Sequence, residues 1–124
     1  MKNLLVILGC CSAALGVAAG AFGAHGLKNM LSPDMLQTYE TAVRYQMYHA
    51  FGLIAAGLIS SASNESKVRL AGYCFITGTV VFSGSLYALT LTGIRWFGAA
   101  TPFGGIAFIA GWIVLAVAAY QQVK

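Results

Sequence analysis

The fold class that this sequence predicts is all-α: a polytopic membrane protein with four transmembrane helices in an antiparallel bundle, the second helix extended by an amphipathic segment. Two observations lead there. Of 124 residues, 59% are hydrophobic and only 8% are charged, whereas soluble domains carry roughly 25% charged residues. Four uncharged runs, Leu4 to Ala24, Tyr45 to Ser63, Leu70 to Ile94 and Phe97 to Tyr120, are each long enough to cross a hydrocarbon core of about 30 Å at about 1.5 Å per residue. They leave no room for a separate soluble domain, so residues 1–124 read as one four-helix transmembrane domain.

The first helix opens on Lys2 and a long apolar run. Such a start also resembles a secretory leader, and Ile7-Leu8-Gly9-Cys10 weakly resembles a lipoprotein cleavage site. The run continues unbroken past Cys10 to Ala24, which suits a retained spanning helix. Gly9, Ala13, Gly16, Gly20 and Gly23 recur at steps of three and four and place small residues along one seam, where a partner helix should lie. That seam is also a candidate surface for a second copy of the chain. GAFGAHG, Gly20 to Gly26, brings close packing together with the first polar group, His25, at the membrane boundary.

The second helix starts at Ser32-Pro33-Asp34, with Ser32 as N-cap, Pro33 at N1 and Asp34 near the positive end of the dipole. No breaker follows, so one helix of about 43 Å is expected from Pro33 to Ser61, amphipathic from Met35 to Gln46. Glu40 and Arg44 stand at i, i+4, while Tyr45, His49, Gly52 and Ala56 form another stripe. Asn64 to Arg69 is read as a tight connection between antiparallel spans. In the third span Gly78, Ser83, Gly84 and Ser85 allow close approach and Tyr87 adds a hydroxyl; the serines are expected to bond back to the preceding turn. Arg95-Trp96 marks the head-group level, and Thr101-Pro102 supplies an N-cap and N1 for the last span. That span carries Gly104 and Gly105 one turn inside, with Ala107 and Gly111 continuing the small-residue pattern. The helix-packing set is therefore Gly9, Gly16, Gly20, Gly23, Gly52, Gly84, Gly104 and Gly105.

The seven bases and three acids give a net charge of +4 without a basic run, too sparse for nucleic acid and suited to anchoring at phospholipid head groups. Cys10, Cys11 and Cys74 lie inside spans, where a thiol acts as a small apolar group; neither a disulfide framework nor a zinc site is indicated. With an even number of spans the termini share a side holding Lys2, Lys67, Arg69 and Lys124, against Lys28, Arg44 and Arg95 opposite. That balance favours both termini on the cytoplasmic side of the cell membrane.

This topology puts His25, Glu40, Arg44, Gln46, His49, Tyr87, Arg95 and Thr101 toward the extracytoplasmic side. Polar groups at membrane depth are costly unless paired or hydrated. Either they satisfy one another, with Glu40 neutralising Arg44 or Arg95 and His49 bonding Tyr87, or they line a pocket for a lipid head group or small anion. His25, His49 and Glu40 would be an adequate ligand set, but their spacing is that of no known site, so no metal and no cofactor is assigned. No G-x-S-x-G, H-E-x-x-H or phosphate-binding glycine loop occurs.

GAFGAHGL (Gly20 to Leu27), YQMYHA (Tyr45 to Ala50), FSGSLYAL (Phe82 to Leu89) and TPFGGIAFIAGW (Thr101 to Trp112) together resemble the signatures of the small bacterial membrane proteins typified by YwdK and YgdD, an uncharacterised family with animal relatives. The match runs in order over almost the whole chain, and Arg95-Trp96 loosely fits the basic or polar residue and apolar neighbour that the family usually has before its last motif. The resemblance implies a multi-pass cell-membrane protein of about four helices and carries no catalytic residues. Three functional classes are weighed: a non-catalytic protein that binds a lipid, a small ligand or a partner helix; a subunit of an oligomeric transporter; and an intramembrane enzyme. Every Asp and Glu lies outside the spans or at their margin, which argues against proton-coupled export. No nucleophile and base pair is recognisable, which argues against an enzyme.

Overall fold

A computed structural model describes residues 2–123, all of them in helices and short connections, without a strand. The elements are α1 (Lys2–His25), α2 (Pro33–Ile59), α3 (Glu65–Gly78), a π-helical turn (Thr79–Ser83), α4 (Gly84–Thr92), a 3-10 turn (Arg95–Ala99) and α5 (Thr101–Val123). The π turn joins α3 and α4 into one rod, so four rods result.

Three of the rods are long and apolar enough to cross a membrane: Lys2–His25, Glu65–Thr92 and Arg95–Val123. The expected fourth span, α2, has the length but not the apolarity, because Glu40, Arg44, Gln46 and His49 interrupt it. It nonetheless packs against all three others, most extensively against α1.

The register of α2 on α1 follows from the glycines. A Cβ on Gly57 would touch Val6, one on Gly9 would touch Ile54 and Ala50, one on Gly16 Met47, one on Gly20 Val43 and one on Gly23 the ring of Tyr39. The two helices thus run in opposite directions in contact over the full length of α1. The seam of α1 is filled by α2 of the same chain and is not free for a second copy. The rod α3–α4 opposes both neighbours: Ser83 meets Ala42 and Phe75 lies over Gly52 on α2, while Gly78 faces Phe108 and Phe82 faces Gly104 on α5. Gly84 departs from the expected packing set, since nothing lies within 4 Å of its Cβ position; Gly105 has only Phe82, at 3.9 Å. Gly57, Gly72, Gly78 and Gly111 make closer approaches than either.

Local sequence explains the ends. Ser32 caps α2 by accepting the Met35 amide at 3.2 Å. α2 stops at Ile59 rather than Ser61, and the third rod begins at Glu65, five residues earlier than expected, because Asn64 closes the turn. Its Oδ1 accepts the Ser61 amide at 2.8 Å, and its Nδ2 donates to the carbonyls of Ile59 and Ala118, each at 3.1 Å. α4 ends at Gly93, whose φ of 74° is a left-handed conformation that glycine adopts without penalty. Thr101 begins α5, but its hydroxyl bonds Ser85 at 2.7 Å instead of capping its own helix.

Side-chain chemistry divides the bundle along its length. Leu5, Leu53, Ala56, Val68, Ala71, Phe75, Leu115 and Ala118 form an apolar core in the half nearer the termini. The buried polar residues Gln46, Ser83, Ser85 and Thr90 lie from the middle of the bundle toward Lys28 and Arg95, while Asn64 is buried at the opposite end.

Candidate functional site: a cleft over Gln46

The eight polar residues expected in one pocket are spread over several places. His25 ends α1, exposed. Gly9 lies against Ala50 and Gly16 against Met47, so His49 is level with the middle of α1, roughly 18 Å of helical rise from His25. Sharing a membrane half is not sharing a pocket. Glu40 and Arg44 are exposed and line a hollow of about 300 Å³ beside Gly20. The single ion pair among the described residues joins Arg69 to Glu65 at 3.5 Å, so Glu40 neutralises neither Arg44 nor Arg95. Arg95 lines a separate hollow with Asp34 and Thr38. No group of three His, Cys, Asp or Glu residues with metal-binding geometry occurs among the described residues.

Gln46 and Tyr87 do come together. The Gln46 amide donates to the Ser12 carbonyl of α1 at 2.9 Å and accepts from the Tyr87 hydroxyl of α4 at 2.7 Å. One side chain thereby joins three rods. His49 does not bond Tyr87; it faces α5, where Trp112 donates to its Nε2 at 2.9 Å, while its Nδ1 bonds the Tyr45 carbonyl at 2.6 Å and its ring stacks on Phe108 with centroids 3.4 Å apart. Tyr39 donates to the Ala19 carbonyl at 2.6 Å and Ser83 to the Ala42 carbonyl at 2.7 Å. Where lipid offers no partners, such cross-helix bonds join rods and remove the cost of burying polar groups.

Sequence reasoning missed Tyr39, Ser12 and Trp112, and expected Ser83 to bond its own helix. Thr79, Ser83 and Tyr87 recur every four residues within an apolar span, a stripe of hydroxyls that signals one shared face. The π turn itself has no such signal.

Two grooves flank α2. The first is a cleft of about 370 Å³ between α1 and the α3–α4 rod, walled by Leu8, Leu15 and Val80 and floored by Gln46, Thr79, Ser83 and Tyr87. It stays open because Gly84, which lines it, has no side chain. The second, between α2 and α5, is about 640 Å³ and aromatic, lined by Tyr45, Tyr48, Phe82, Phe108 and Trp112 over His49.

Apolar rods joined by internal hydrogen bonds, with a cleft opening sideways, define a small helical membrane protein. The chain belongs to the family described as Protein of unknown function (DUF423), whose model matches residues 19–105. It is 48% identical over 119 residues to a UPF0382 membrane protein of Staphylococcus saprophyticus, covering 96% of this chain and 98% of that one. It is likewise 48% identical over 120 residues to the UPF0382 membrane protein YwdK of Bacillus subtilis, covering 96% and 98%. A relative from Staphylococcus epidermidis is 49% identical over 116 residues, 94% of each chain. No solved structure matches the chain.

Proposed function

We propose that this chain is a non-catalytic integral protein of the cell membrane that crosses the bilayer four times and holds a lipid-phase ligand in the cleft over Gln46. The four crossings rest on the contact of α2 with α1 from Gly57 to Tyr39, which carries α2 to the same depth as a helix that is itself long and apolar enough to span. Its polar residues are tolerable there because Gln46 and His49 are buried and hydrogen-bonded to other rods, while Glu40 and Arg44 lie toward the membrane boundary. Four crossings return both termini to one side, and the base count favours the cytoplasmic one.

The single observation that carries the ligand reading is the cleft: apolar walls, a polar floor and an open position at Gly84. A lipid-exposed groove of about 370 Å³ is within the range of small-molecule sites. Native mass spectrometry of the full chain in mild detergent tests it. The wild type should retain a lipid-sized adduct, Gly84→Leu should lose it, and Gly105→Leu, which fills the aromatic groove instead, should keep it. Loss with Gly105→Leu and retention with Gly84→Leu would move the site to the other side of α2.

A further inference from the structure

The hydroxyl groups on the floor of the cleft have directions, and these select a ligand class. Tyr87 gives its proton to Oε1 of Gln46, because the other end of that amide is bound to a carbonyl and must be nitrogen. Thr79 gives its proton to the Phe75 carbonyl at 2.8 Å, and Ser83 gives its proton to Ala42. Ser83 is 1% exposed and spent on that bond, so the Tyr87 and Thr79 oxygens are the ones that face an occupant as acceptors. The Gln46 amide keeps a second N–H, and Ser12, which also lines the cleft, has a hydroxyl free to turn as donor or acceptor. Among the described residues no charged side chain lines the cleft, so a phosphate, carboxylate or ammonium there would have no counter-charge at a depth where ions are costly.

We infer that the cleft selects an uncharged lipid alcohol, whose hydroxyl donates to Tyr87 or Thr79 and accepts from Ser12 or Gln46 while its chain lies between Leu8, Leu15 and Val80. This inference rests on the cleft reading above and adds the chemistry of the ligand. An ether or ketone oxygen only accepts and leaves the Tyr87 and Thr79 lone pairs unused. Ionic head groups are excluded by the neutral lining.

The test uses the full chain in phosphatidylcholine vesicles, photolabelled with a long-chain alcohol carrying a diazirine and, in parallel, with its methyl ether. One hydrogen bond at this depth corresponds to about fivefold in occupancy. The alcohol should label the cleft walls about fivefold more than the ether in the wild type, a comparison that requires no substitution. Thr79→Val, which removes an acceptor without touching the Gln46 bonds, should narrow that ratio. Gly84→Leu should abolish labelling by both probes. Equal labelling by alcohol and ether, both blocked by Gly84→Leu, would overturn the alcohol class and leave the cleft standing. Labelling indifferent to Gly84→Leu would overturn the cleft itself. Competition with unlabelled diacylglycerol and with an unlabelled polyprenol separates the two natural sources of such a hydroxyl, and displacement by neither counts against the class.

Discussion

Trp112 donates its indole N–H to Nε2 of His49 across 2.9 Å, joining α5 to α2 at mid-depth. An indole nitrogen only donates, so Nε2 must accept; a carbonyl only accepts, so Nδ1, 2.6 Å from the Tyr45 oxygen, must carry the proton. The imidazole is therefore neutral, in the Nδ1–H tautomer, with both nitrogens engaged.

That assignment makes His49 a structural residue. His49→Ala should destabilise the protein by about 1–3 kcal/mol, and Trp112→Phe by about 1 kcal/mol, because each leaves a polar group unpaired in an apolar setting. Neither should alter occupancy of the cleft over Gln46, which lies on another side of α2. Chemical or thermal unfolding in detergent measures the first expectation, and nitrogen NMR of labelled histidine checks the tautomer. A doubly protonated ring would sink the assignment.

The glycines should separate according to what a side chain would meet. A Cβ at Gly104 falls 2.5 Å from the backbone nitrogen of Phe82, and one at Gly9 falls 2.7 Å from the Ala50 carbonyl. Backbone cannot swing aside, so Gly104→Ala and Gly9→Ala should each cost about 1–3 kcal/mol. At Gly16 the obstacle is the Met47 sulfur at 2.5 Å, the end of a flexible side chain, and the cost should be smaller. Gly84→Ala meets nothing and should be neutral or stabilising by up to about 1 kcal/mol through helix propensity. Equal losses at all four positions in an unfolding series would contradict this packing.

Asn64 is 1% exposed and ties three segments together: the end of α2, the start of α3 and the far end of α5. Asn64→Asp keeps the acceptor that closes the turn but loses both donations to carbonyls and places a charge among them. It should therefore be at least as destabilising as Asn64→Ala, at about 2–3 kcal/mol. A harmless Asp would show that only the turn matters.

Much of this architecture is legible in the sequence because membrane helices announce themselves by length and apolarity. The small-residue steps of α1 and the Ser32-Pro33 start of α2 each have a local physical cause. The site was less legible. Counting crossings places residues in a membrane half, but helical rise then separates His25 from His49, and rotation turns Gln46 toward α1 and α4 while His49 turns toward α5. Pairings such as Gln46 with Ser12 join residues 34 positions apart and depend on the register between rods. The open position at Gly84 could not be told from the closed one at Gly104, since an unfilled glycine and a packed one are the same letter.

The four-crossing arrangement makes a sharp prediction about sidedness. In a chain whose three cysteines are replaced by alanine, single cysteines at Asn29, Ser66 and Trp96 report the three connections. With α2 crossing, Asn29→Cys and Trp96→Cys should both react with a membrane-impermeant maleimide added to intact cells, and Ser66→Cys only after permeabilisation. A three-crossing chain would need α2 to leave the bilayer, although it touches α1 from Gly57 to Tyr39; positions 29 and 66 would then share a side and 96 would lie opposite. That pattern would remove the depth argument for the cleft, because Gln46 could no longer stand at mid-membrane. Reaction at 29 and 96 but not at 66 would leave Gln46 and Tyr87 bonded to each other at mid-membrane, where the surrounding lipid offers neither of them another partner.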